Sequence, residues 1–240
     1  MFDFLLSPVT LYPWFIIGIA ILYTLINIRY QQHFLLRWIH IIPTLLHEFG
    51  HALFCQLTGG KVDDIVIVTS RYERKATGRA GYAVTRTRHA FNQFMTIIGG
   101  YLFPPLMLLT GILSLQYQQP IIFWLTLIAI FSYYFVKTSR KWLPLIVMIV
   151  VGTFTYFMIV HPQYQYILLN DITYQLILAV LLADTVLTSI TISALYFRER
   201  NQTWDGAVLG RMTRCPVFLY YFLFLSVHLI ALYTAIALIF

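Results

Sequence analysis

Residues 172–197 read ITYQLILAVLLADTVLTSITISALYF, and Asp184 is the only acidic or basic side chain in this stretch. About 20 predominantly apolar residues in helical conformation cross the hydrocarbon core of a bilayer. The stretch therefore predicts a membrane-spanning helix. It also places a carboxyl group at a depth where a charge costs roughly 2.5–3.5 kcal/mol, so that residue is a candidate for function.

The rest of the chain has the composition of a membrane protein. Of its 240 residues, 60% are apolar, 17% are aromatic and 10% are charged, whereas soluble domains carry about 25% charged residues. This composition excludes a soluble enzyme, a disordered scaffold and a secreted domain held by disulfides. The two cysteines, Cys55 and Cys215, are far apart in the chain and suggest no disulfide framework.

Apolar runs predict an all-α polytopic membrane bundle of about seven transmembrane helices, with six also possible. The runs cover residues 11–30, 38–57, 94–115, 120–136, 142–160, 172–197 and 216–239. The N-terminus lacks the basic region of a signal peptide, so we expect the first span to be retained. We expect residues 1–240 to form a single membrane-embedded domain.

The basic residues predict the orientation in the membrane. Fourteen of the sixteen Lys and Arg lie in the loops 58–93, 137–141 and 198–215, which share one side if every run spans. The positive-inside rule places these loops and the N-terminus in the cytoplasm. Topology and contact with the lipid bilayer then explain the net charge of +7, and we expect no nucleic-acid partner. The short loops favour a bacterial cell membrane.

The sequence His47-Glu48-Phe49-Gly50-His51 predicts a metal site. Residues four apart share one face of a helix, so both imidazoles can bind one Zn²⁺. Glu48 is then placed to act as general base toward the attacking water. In the alternative interpretation, the two histidines bind no metal and only form hydrogen bonds in the protein core. That interpretation does not explain why Glu48 is buried beside them.

A hydrolytic zinc site usually has three protein ligands, so one more is needed. Asp184 lies at a similar depth to His47 and His51, counted along their helices at 1.5 Å per residue, and we favour it as the third ligand. Asp205 is the rival. It stands in a basic loop and is too shallow unless that loop re-enters the membrane.

The 58–93 loop predicts a β-hairpin. Residues 64–69 and 81–85 are rich in β-branched side chains and alternate, and the polar, basic residues 70–80 separate them. Asn92, at the end of the loop, is a weak candidate for oxyanion stabilisation.

These motifs resemble the site-2-protease superfamily of intramembrane zinc metalloproteases, most closely a small bacterial branch. LHEFGHAL at residues 46–53, followed by LTGGKV at 57–62, is the most specific part. GGYLFP at residues 99–104 is similar to the branch's Ala-Gly-Tyr-Leu-Gly-Pro, and LGRMT at 209–213 is similar to its Leu-Ala-Arg-Leu-Thr. The resemblance covers most of residues 38–225.

The resemblance implies a metalloendopeptidase that cleaves membrane-spanning or membrane-proximal protein substrates. It also implies that a sheet near the active site holds the substrate as an added strand, although a hairpin that only caps the bundle fits the sequence equally well. Better-known members carry Asn-Pro-Xaa-Xaa-Xaa-Leu-Asp-Gly with the Asp as zinc ligand. Only Asp205-Gly206 echoes that run here, so the choice of third ligand stays open.

Other functions are compatible with the same residues. A zinc-dependent membrane hydrolase could act on a non-peptide substrate such as a lipid, and a non-catalytic scaffold could descend from a protease. A transporter would be expected to show inverted repeats and paired sites, which the sequence lacks. The sequence specifies neither the substrate-binding residues nor the oligomeric state.

Overall fold

A computed structural model describes residues 9–30, 33–147, 149, 153, 156, 164–198 and 204–240. The helices in chain order are α1 (Pro13–Tyr30), α2 (Phe34–Ile39), α3 (Ile41–Leu57), α4 (Arg71–Thr77), α5 (Ala90–Gln116), α6 (Pro120–Lys137), α7 (Tyr164–Arg198), α8 (Asp205–Thr213) and α9 (Val217–Ile239). The strands are β1 (Lys61–Ile67) and β2 (Gly81–Arg86), between which α4 lies.

Five of the described helices are long and apolar enough to cross a membrane, namely α1, α5, α6, the Leu168–Phe197 part of α7, and α9. The predicted helical architecture is therefore confirmed, with five candidate spans among the described residues, but seven spans are not. The run 38–57 is divided at His40 between α2 and the 17-residue α3, which is shorter than the roughly 20 residues of a typical span. Much of the run 142–160 lies outside the described residues.

The predicted two-stranded hairpin is present. β1 and β2 pair antiparallel, with Ile65 opposite Ala83 and Val66 opposite Tyr82, and a bulge interrupts the ladder between Val62 and Asp64. Ile65, Val66 and Ile67 are all buried, so both faces of β1 are covered at this end of the strand.

The connection between the strands contains the short helix α4, which the sequence analysis treated only as a polar separator. The Ser70 side chain accepts a hydrogen bond from the Glu73 N–H at the start of this helix. Gly78 ends it in the left-handed conformation, at φ 68°, which glycine adopts without steric cost. A serine three residues before a glutamate is the local signal that announces such a helix.

Polar contacts attach the hairpin to the loop that follows α6. The Asp64 carboxylate accepts hydrogen bonds from the Ser139 N–H at 2.9 Å and from its hydroxyl. Arg140 forms a two-point ion pair with Glu73, at 2.7 and 2.8 Å, and the guanidinium lowers the pKa of that carboxyl. Two of the three basic loops therefore lie together on one side of the bundle.

α3 and α5 cross at glycines, which brings their backbones into contact. A Cβ at Gly50 would lie 2.8 Å from the Gly99 carbonyl carbon, and one at Gly99 would lie 2.8 Å from the Phe54 side chain. Small residues at a crossing allow this close approach of two membrane helices. The crossing presses the His47–His51 face of α3 against α5.

Candidate metal centre

His47 and His51 lie one helical turn apart on the same face of α3, as their spacing predicts. Their Nε2 atoms are 3.1 Å apart, and the ring centroids are 4.7 Å apart. Two imidazole nitrogens this close can supply two ligands to one metal ion.

Main-chain carbonyl groups of α5 orient both imidazoles. The Nδ1 of His51 is 2.8 Å from the Thr96 carbonyl oxygen, to which it donates. The Gly100 carbonyl, one turn further along α5, is the hydrogen-bond partner of the His47 imidazole. Histidines that bind metals usually donate their second ring N–H in this way, which fixes the tautomer and directs the other nitrogen to the ion.

Gly100 and Pro104 explain why α5 can do this. In an α-helix the Gly100 carbonyl would accept from the N–H of residue 104, but Pro104 has no N–H. The Gly100 carbonyl is therefore left for His47. Gly100 also leaves room for the rings, because a Cβ there would overlap the His51 imidazole and lie 3.0 Å from Cε1 of His47.

Asp205 completes the cluster. One of its carboxylate oxygens is 3.6 Å from Nε2 of His51 and 3.8 Å from Nε2 of His47. The three ligand atoms all lie within 4.8 Å of one another. Two imidazole nitrogens and a carboxylate oxygen are the donor set of many catalytic zinc sites, and the orientation of both rings by carbonyl groups fits the same use.

The packing of α8 carries Asp205 inward. Trp204, which precedes the helix, is buried against α5 and α9, and Leu209 is fully buried. Gly206 accommodates the folded-back Trp204, since a Cβ at that position would overlap the indole ring. The packing of these residues against the bundle brings Asp205 to the two histidines.

Asp184, the third ligand that the sequence favoured, does not belong to this cluster in the part of the chain that the structure describes. It lies on α7 and lines the same cavity as the histidines. The prediction compared depths along separate helices. Depth alone does not determine which carboxylate reaches two given nitrogens across the bundle.

Glu48 is buried next to the cluster, at 7% exposure, and faces the hairpin. A Cβ at Gly81 would lie 3.0 Å from Cγ of Glu48, and the Ala83 main chain is a hydrogen-bond partner of its carboxylate. Strand β2 therefore lies directly against the carboxyl group that the sequence predicts as a general base.

A cavity of about 870 Å³ joins these groups. Its walls come from α3, α5, α7, α9, the start of α8 and the segment from the end of α4 through β2. They include both histidines, Glu48, Asp205 and the β2 residues Gly81 to Ala83. The cavity is large enough for several residues of an extended peptide.

The structure adds a residue that the sequence analysis missed. His228 lies on α9, is 2% exposed and lines the same cavity. Its Nδ1 donates to the Phe224 carbonyl at 2.8 Å, so Nε2 is the nitrogen left as an acceptor. An ionisable side chain inside an apolar run is the sequence signal that identifies it.

Asn92 has a different role from the one considered for it. It is fully buried, and its amide nitrogen donates to the Cys55 carbonyl and the Thr58 hydroxyl while its oxygen accepts from the Arg88 N–H. These contacts join the end of α3 to the start of α5. They leave the Asn92 carboxamide without a free donor for a substrate oxyanion.

Comparison with known proteins identifies the family. The family model described as Peptidase M50B-like matches residues 17–235, which is most of the chain. No curated protein and no solved structure matches the chain. The matched family is a site-2-protease family, which confirms the resemblance seen in the sequence. The chain belongs to the Peptidase M50B-like family.

Proposed function

We propose that this protein is an intramembrane zinc metalloprotease that hydrolyses peptide bonds in membrane-spanning or membrane-proximal proteins. Zinc would be held by His47, His51 and Asp205, which replaces Asp184 as the third ligand. The observation that carries the proposal is the convergence of these three side chains, with Glu48 beside them, on one cavity. The match to a peptidase family supports the choice of reaction.

The metal and the protein side chains contribute different parts of the proposed reaction. Zinc, when bound, supplies Lewis acidity and lowers the pKa of water at the site. Glu48 takes the proton from the attacking water and then delivers it to the leaving amine. Its burial beside Gly81 and Ala83 keeps the carboxyl group close to any peptide that lies along β2.

The hairpin offers a way to present an extended substrate. A helical peptide bond is protected because its carbonyl is hydrogen-bonded within the helix, so the substrate must unwind before attack. β1 lies against the end of α6 and the loop after it, since the Nζ of Lys137, the last residue of α6, donates to the Val62 carbonyl, and the Ser139 N–H donates to Asp64. β2 lines the cavity beside Glu48, and a substrate strand added there would receive main-chain hydrogen bonds next to the catalytic groups.

We place the protein in the cell membrane with its basic loops in the cytoplasm, as one membrane-embedded domain. The contacts of Asp64 and Glu73 with the loop after α6 support a common side for two of the basic loops. The excess of Lys and Arg in those loops supports the cytoplasmic side.

Hydrolysis of membrane-spanning peptides tests the proposed reaction. Purified protein in mild detergent is incubated with a panel of single-span peptides, and the products are identified by mass spectrometry. We expect internal cleavage that 1,10-phenanthroline abolishes and added zinc restores, because the activity depends on a metal. Release of fatty acids from added phospholipid, without peptide cleavage, would replace the protease with a lipid hydrolase.

The role of Pro104 gives a second test. In Pro104→Ala the new N–H competes with His47 for the Gly100 carbonyl, so we expect zinc affinity to fall by roughly 10- to 100-fold, the usual effect of losing an outer hydrogen-bond partner of a ligand. Affinity is measured by competition with a chromophoric chelator, and the visible spectrum of the cobalt-loaded protein reports the ligand geometry. Pro105→Ala is the matched control, since it frees an N–H for the carbonyl of Tyr101, which orients neither histidine. Equal affinities in the two variants would refute this role.

A further inference from the structure

One wall of the cavity is polar although it belongs to an apolar helix. Asp184, Thr188 and Thr191 stand at helical spacing on α7 and all line the cavity. Asp184 is only 8% exposed. A carboxyl group inside a membrane helix is costly and is kept where it has a use. The candidate metal cluster consists of His47, His51 and Asp205 and does not include Asp184.

The Asp184 carboxyl group has no cationic partner among the described residues. Its hydrogen-bond partner is the Thr188 hydroxyl one turn along the helix, and none of the ion pairs in the described part of the chain includes it. A buried carboxyl group that faces a cavity and has no cation beside it can accept a hydrogen bond from a donor on a bound molecule.

The polar wall and the proposed zinc ligands line the same cavity, and Glu48 lies there as well. A substrate whose scissile bond lies beside Glu48 therefore presents its neighbouring side chains to a cavity that Asp184 also lines.

We propose that Asp184 and Thr188 form a substrate-specificity subsite. It binds a substrate side chain that carries an N–H donor, with lysine the strongest ligand, near the scissile bond of an extended substrate. This inference rests on the proposed protease function. It gives Asp184 a role in recognition where the sequence suggested metal binding.

The test uses variants of one cleaved single-span peptide. Lys, Gln, Met or Leu is placed at each of the five positions on either side of the cleaved bond, and kcat/KM is measured for wild type and Asp184→Asn. We expect wild type to prefer Lys over Met by about tenfold at one of these positions, because a site built for a donor rejects an analogue without one. In Asp184→Asn that ratio falls to near one while zinc stays bound.

Two further variants complete the test. Thr188→Val is expected to lower the same ratio by a smaller factor. Asp171→Asn is the matched control, because Asp171 is another buried carboxylate on α7 and its contact is with the N–H of Thr10; it should keep the wild-type profile.

Different failures of this test have different meanings. Loss of zinc in Asp184→Asn would overturn the subsite and return Asp184 to the metal. A Lys-to-Met ratio unchanged by Asp184→Asn and Thr188→Val would also overturn it. Failure of wild type to cleave any peptide would instead overturn the proposed protease, and the subsite with it.

Discussion

Replacing Glu48 with Gln is expected to abolish peptide hydrolysis while zinc remains bound. The amide keeps the size of the side chain and its contact with β2, but it cannot accept the proton of the attacking water. General acid–base catalysis contributes about 10²- to 10⁴-fold to such reactions, so we expect kcat to fall by at least about 10²-fold. Zinc should stay because Glu48 lies outside the ligand cluster.

The measurement combines single-turnover cleavage of a membrane-spanning peptide with metal analysis of the same sample. Glu73→Gln is the matched control, because Glu73 pairs with Arg140 outside the cavity and should retain wild-type turnover. Full activity in Glu48→Gln would remove Glu48 from the mechanism. Loss of zinc in that variant would make it a ligand or a structural support of the site.

The second large effect is expected from Asp205. In Asp205→Ala the site keeps only two imidazoles, so zinc affinity should fall by more than the roughly 100-fold that follows the loss of an outer hydrogen-bond partner. Asp184→Ala should keep wild-type affinity, since its carboxyl group lies outside the cluster. Competition with a chelator of known affinity measures both variants in the same detergent.

Asp63→Ala is the control variant, because it removes an aspartate that lies outside the metal cluster. Asp63 pairs with Arg86 on the hairpin, so its removal should leave zinc affinity unchanged. Retention of zinc by Asp205→Ala together with its loss from Asp184→Ala would restore the ligand set that the sequence favoured.

Local sequence patterns predicted the parts of the site that depend on short-range geometry. The spacing of His47 and His51 fixes a shared face on any helix, and the bundle presses that face against α5. The β-branched, alternating residues 64–69 and 81–85 likewise predict two strands, and these pair in the structure. Both features follow from residues within a few positions of one another, so they can be read without knowledge of the fold.

The features that could not be predicted depend on contacts between distant segments. Whether Asp184 or Asp205 reaches the histidines is decided by how Trp204 and Leu209 pack against α5 and α9, and no local pattern encodes that packing. The division of the run 38–57 at His40 is another example. Its hydropathy is that of a span, but the described helix begins after His40.

The role of Gly100 and Pro104 could be predicted only in part from the sequence. The two residues are recognisable in the sequence as an unusual glycine and proline in an apolar helix. Their effect on His47 becomes visible only when α3 and α5 are placed together, because the freed carbonyl acts on the neighbouring helix.

X-ray absorption at the zinc edge of two cysteine variants tests the proposed zinc centre most directly. A thiolate ligand places sulfur at about 2.3 Å from zinc, whereas imidazole and carboxylate ligands lie at about 2.0–2.2 Å. We predict nitrogen and oxygen neighbours alone in wild type and in Asp184→Cys, and a new sulfur neighbour in Asp205→Cys. A sulfur neighbour in Asp184→Cys, and none in Asp205→Cys, would contradict the metal centre proposed here.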